Sequence, residues 1–78
     1  MTEIMKVIKG FIEEINEYID IEIDTQLIDE GILDSLGIMV LINEIEDYYG
    51  IEILSKDIQS ENFKNLVTIE SLVKRYKG

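Results

Sequence analysis

Apolar residues recur along this chain at helical spacing in three stretches, separated by segments where the period breaks down. Ile4, Ile8, Phe11, Ile12, Ile15 and then Tyr18 or Ile19 mark the first helix, with Thr2 placed to cap it and Glu3 suited to its positive N-terminal end. Ile38, Leu41, Ile42, Ile45, Tyr48 and Tyr49 fall on one face of a second helix from about Ser35 to Tyr49, which Gly50 is placed to stop. Leu66, Ile69, Leu72, Val73 and Tyr76 give a third, with Asn65 as its cap, and a short weak turn around Lys56 to Glu61 precedes it, followed by an anchoring Phe63.

Between the first two helices the pattern changes. "YIDIEID" alternates apolar and acidic residues at period two, which taken alone is a strand pattern, and "GIEIL" at residues 50–54 could pair with it to give a small α+β fold. Both runs are short, both abut a helix end, and two isolated strands are marginal without a further sheet. Extended loop segments, whose isoleucines cover the helix ends, are therefore expected. "DTQLIDEG" supplies turn chemistry around two apolar anchors, Leu27 and Ile28. The expected architecture is all-α: a small four-helix bundle of three main helices and one short one, with a long loop between helices 1 and 2, forming a single domain over residues 1–78.

The second helix carries a feature that packing does not explain. Leu36, Met39 and Val40 lie opposite its core stripe, beside Asn43, Glu46 and Asp47, so a bundle this small cannot bury both faces. They are expected to form an exposed docking face, unless the loop of residues 20–34 folds back over them.

Charge gives that face a direction. The chain holds 17 acidic and 7 basic residues for a net charge of −10, and Phe11 to Ser55 contains acids without a single base. A surface this negative repels phosphate backbones, which argues against nucleic acid and anionic membranes. Total charge alone serves solubility equally well, and it is the segregation of the acids that points to a basic protein partner. The apolar runs are too short and too interrupted by acids to span a bilayer, no signal-peptide pattern opens the chain, and a cytoplasmic monomer is expected.

A chain of 78 residues has little room for an active-site cleft, and it contains neither Cys nor His. Zinc fingers, thiol nucleophiles and Ser-His pairs are thereby excluded, and no catalytic or metal site is expected. Ser35, after Asp34, then has two roles open to it. It is a helix-start residue, or it is an acceptor: a hydroxyl at a helix start, where backbone N–H groups and the dipole favour a phosphate, modified by another enzyme that supplies the base.

"LIDEGILDSLG", followed by "LINEIEDYYGIEI" and "DIQSENFKNLVTIESLV", resembles the phosphopantetheine-binding carrier proteins: acyl, peptidyl and D-alanyl carriers. The resemblance covers nearly the whole chain. It implies that the protein is not an enzyme, and that a separate phosphopantetheinyl transferase uses Mg²⁺ to move the 4'-phosphopantetheine arm of coenzyme A onto Ser35. Asp34 matches the family's acid before the serine, implying helix-start electrostatics and help in arranging the transferase's metal and phosphate. Leu36, Met39 and Val40, ringed by Glu46 and Asp47, match the family's recognition helix, which docks on basic, apolar-centred patches of loading enzymes and of downstream acyltransferases or synthases. The arm would bring the thiol that the chain lacks, with cargo carried on it as a thioester.

Fatty-acid carriers usually place an acid after Asp-Ser-Leu, and peptidyl carriers usually have Gly-Gly or Gly-His before Asp-Ser. Here Gly37 follows the triplet and Ile32-Leu33 precedes it, so "GILDSLG" looks more like the D-alanyl and related aminoacyl carriers, although Leu36 stands where D-alanyl carriers commonly have methionine. The competing function is an unmodified helical interaction module whose acidic, apolar-studded helix binds a partner directly.

Overall fold

A computed structural model describes residues 1–17 and 19–77. Helix α1 spans Glu3–Ile15, α2 Ser35–Tyr49 and α3 Leu66–Lys77, and two 3₁₀ turns, Ser55–Asp57 and Ser60–Phe63, lie between α2 and α3. No strand forms among the described residues, so the α+β alternative falls. The expected short fourth helix resolves into those two 3₁₀ turns.

Local chemistry sets the helix ends. Thr2 caps α1 by accepting the Met5 N–H at 3.2 Å. The helix stops at Asn16, whose backbone turns away at φ −139° and ψ 80°, short of the expected Ile19. Ile19 is half-buried beyond the helix, and Tyr18 lies outside the described residues. Gly50 ends α2 in the left-handed conformation at φ 64°, where a side chain would be strained, and the N–H groups of Gly50 and Ile51 both reach the Glu46 carbonyl. At α3, Asn65 Oδ1 accepts the Thr68 N–H at 2.9 Å while Thr68 Oγ1 accepts the Asn65 N–H at 3.2 Å, a reciprocal cap.

The three helices enclose one apolar core. Met5, Ile8 and Ile12 of α1 meet Leu41, Ile42 and Ile45 of α2 and Leu66, Ile69, Leu72 and Val73 of α3, with Phe63 fully buried from the second 3₁₀ turn. Tyr48, expected in that core, is 60% exposed. Its ring stands edge-on to Phe11 and to Tyr49 at centroid distances of 5.7 and 4.8 Å, so it extends an aromatic row at the surface. Burial, with the neighbouring Tyr48 and Glu3, raises the pKa of Tyr49 above the usual phenol range.

The long loop sinks its own anchors. Ile21, Leu27, Ile32 and Leu33 are buried. Leu27 is tied down through its backbone: its N–H donates to the Lys64 carbonyl at 2.7 Å, and its carbonyl accepts from Ile32 and Leu33 at 2.9 Å each. Those bonds satisfy a buried stretch of main chain without strand pairing. Gly31 permits the return at φ 75°.

Candidate functional site

Asp34 precedes α2 in extended conformation, and its Oδ1 accepts the Gly37 N–H at 2.8 Å. The cap of α2 is therefore Asp34, and Ser35 is the first residue inside the helix. A cap role for the serine, open on sequence alone, is filled by its neighbour, and Ser35 is exposed at the helix start.

Gly37 is what lets the cap close. A Cβ there would stand 3.3 Å from Asp34 Oδ1 and 3.5 Å from Leu33 Cδ2, tighter than or at the limit of ordinary contact, and Gly37 is buried. Leu33 beneath it is fully buried, so the turn into α2 is fixed from the core side and its hydroxyl-bearing side faces out.

Beside Ser35 lies a cleft of about 280 Å³, lined by Ser35, Ile38 and Met39 of α2 and by Ile58, Gln59 and Ser60 from the 3₁₀ turns. Ile38, expected wholly within the core stripe, is half-buried and supplies part of this wall. The opposite wall was not legible beforehand, because Ile58, Gln59 and Ser60 show no periodicity that points them at residue 35.

The outer face of α2 is open. Leu36 is 74% exposed, Met39 49% and Val40 39%, while Leu41 and Ile45 on the other side are fully buried. The loop of residues 20–34 does not cover them. Asp47 is exposed next to this face, whereas Glu46 is half-buried and accepts the Ile53 N–H at 2.9 Å, tying α2 to the segment that follows it. Glu46 thus has a structural bond that the sequence did not announce.

Among the described residues no cluster of acidic side chains could hold a metal ion, and no helix is long and apolar enough to cross a membrane. An exposed hydroxyl at a helix start, beside a partly apolar cleft that opens at the same point, fits covalent attachment of a flexible phosphate-linked arm.

The model of one protein family, described as "Phosphopantetheine attachment site", matches residues 6–75, and so runs from within α1 to within α3 and takes in α2 and both 3₁₀ turns. No curated protein and no solved structure matches the chain.

Proposed function

The chain belongs to the phosphopantetheine attachment-site family, whose members carry covalently bound 4'-phosphopantetheine, and on that premise we propose that Ser35 is the attachment point. The observation that carries this assignment is the exposed Ser35 hydroxyl at the first residue of α2, released from capping by Asp34. When bound, the arm supplies a thiol on which acyl or aminoacyl cargo rides as a thioester to partner enzymes.

Each neighbouring residue has a part. Ser35 Oγ forms the new bond to phosphorus, the pyrophosphate P–O bond of coenzyme A breaks, and the nucleoside bisphosphate leaves. The hydroxyl proton goes to a base on a phosphopantetheinyl transferase, since this chain has no His to take it. Asp34 keeps one oxygen on the Gly37 N–H and turns its charge to the transferase's Mg²⁺. Leu36, Met39 and Val40, with Asp47 and Glu46 at their rim, form the surface on which the transferase and the loading and receiving enzymes dock through basic patches. Residues 1–78 work as one carrier domain without catalysis of its own. Among cargoes, the "GILDSLG" setting favours D-alanyl or another aminoacyl group over a fatty acyl chain.

The test is intact mass after incubation with coenzyme A, Mg²⁺ and a broad-specificity transferase. The protein should gain one phosphopantetheine, and Ser35→Ala should gain none while keeping its stability to within about 0.5 kcal/mol, because the altered side chain is exposed and caps nothing. Modification that persists in Ser35→Ala would sink the assignment. A wild-type chain that takes no arm would instead be an interaction module acting through the face of α2.

A further inference from the structure

The segment that supplies the outer wall of the cleft beside Ser35 is hydrogen-bonded, next to that wall, to the last turn of α3. Ile58, Gln59 and Ser60 belong to a segment whose hydrogen bonds are mostly its own: Asp57 N–H to the Leu54 carbonyl at 2.9 Å, Ile58 N–H to Ser55 at 3.1 Å, Asn62 N–H to Gln59 at 2.9 Å and Asn62 Nδ2 to the Asp57 carbonyl at 2.8 Å. Such bonds hold a turn in shape without fixing where it sits. The first 3₁₀ turn, Ser55–Asp57, buries no side chain, and Ile58 is only half-buried. Phe63 anchors the far end of the segment in the core. Before the near end, Ile53 is buried and its N–H donates to Glu46. At the turn itself, the hydrogen bonds and ion pair to the rest of the fold fall on Asp57 and on Leu54. The Tyr76 hydroxyl donates to Asp57 Oδ2 and accepts the Leu54 N–H at 3.1 Å, and Arg75 Nη1 lies 3.9 Å from Asp57 Oδ1.

We propose that Tyr76 and Asp57 are positioning residues: a clasp from α3 that fixes the cleft wall facing Ser35 and so sets how well the cleft shelters a thioester carried there. The sheltering half rests on the proposed carrier function; the clasp does not. Of the two α3 side chains Tyr76 matters more. Arg75 is half-exposed at a long ion-pair distance, where solvent screening leaves little, whereas Tyr76 packs its ring against the core and bonds a carboxylate that is mostly shielded. The bond to Asp57, with burial next, raises the pKa of Tyr76 above the usual phenol range, so the donor stays protonated.

The test uses the full-length protein. Hydrogen exchange should speed up roughly tenfold at the amides of Asp57, Ile58 and Asn62 in Tyr76→Phe, the size of one hydrogen bond to a charged acceptor, while Ile8 and Ile12 in α1 keep their rates. Arg75→Gln should have a smaller effect, and Asp57→Asn, which keeps an acceptor for the tyrosine, should retain most of the protection that Asp57→Ala loses. After loading by a transferase from octanoyl-coenzyme A as the probe, Tyr76→Phe should lose its octanoyl group to hydroxylamine several-fold faster than the parent. Equal exchange in Tyr76→Phe and parent overturns the clasp, as does a rise spread evenly over α1. Faster exchange with unchanged thioester cleavage overturns the sheltering role. A parent chain that takes no arm overturns the carrier function and the sheltering with it, and that failure is distinct because the exchange measurement needs no arm.

Discussion

Asp34 offers two separable contributions at the start of α2. Its Oδ1 accepts the Gly37 N–H, and its charge stands one residue from the Ser35 hydroxyl. Asparagine preserves the first and removes the second, since the two residues cap helices about equally well. Asp34→Asn should therefore melt within about 0.5 kcal/mol of the parent, while Asp34→Ala loses about 1 kcal/mol. If the charge helps to arrange the transferase's metal, both variants should slow arm transfer by about tenfold or more. Equal transfer rates for Asp34→Asn and the parent, measured as kcat/KM with coenzyme A, would reduce Asp34 to a cap. Sequence alone left the cap open between two adjacent residues, because Asp and Ser are both favoured there. Only the backbone decides, by placing Ser35 inside the first turn.

α2 presents its two faces to different surroundings, and the difference can be measured. Leu36→Ala and Met39→Ala should change stability by no more than about 0.5 kcal/mol, whereas Ile45→Ala, in full burial, should cost about 2–5 kcal/mol. The same surface substitutions should slow arm transfer if partners dock there, and charge reversal at Asp47 should lower the association rate with an effect that fades as salt rises. Chemical denaturation of the four variants beside stopped-flow binding checks both halves; a Leu36→Ala that unfolds as easily as Ile45→Ala would abolish the docking face. The helices and this face were legible because the 3.6-residue period writes each side of a helix separately into the sequence. What was not legible is contact between elements. Tyr48 has the spacing of a core residue, yet it stands at the rim, where Phe11 and Tyr49 meet it edge-on. The loop offered a period of two, but the Leu27 backbone finds its partner in Lys64. Asp57 and Tyr76 lie nineteen positions apart, and no periodicity joins a polar turn to the end of a helix.

At the scale of the whole molecule, charge opposes compactness. A net charge of −10 is held within a body of 31 × 24 × 19 Å, and the bases lie near the two ends of the sequence, away from the acids of residues 11–55. Two like charges about 10 Å apart in water repel by about 0.4 kcal/mol, and at 0.15 M salt, where the Debye length is near 8 Å, screening leaves about a third of that. Summed over near neighbours, and reduced because the unfolded chain repels itself too, the gain from salt should be on the order of 1 kcal/mol, or about 4–8 °C in Tm for a chain of this size. Salt also weakens the ion pairs Lys9–Asp20, Lys74–Glu70 and Arg75–Asp57, but these lie at 3.8–3.9 Å with at least one partner more than half exposed, where such pairs contribute little. Repulsion should win, and Tm should rise between dilute buffer and about 0.15 M salt. The same field that costs stability would raise the encounter rate with basic partners, so the two effects should move oppositely with salt: tighter folding, slower association. A Tm that stays level or falls over that range would show that the acids are too well separated or solvated to repel, and that their segregation does not strain the fold.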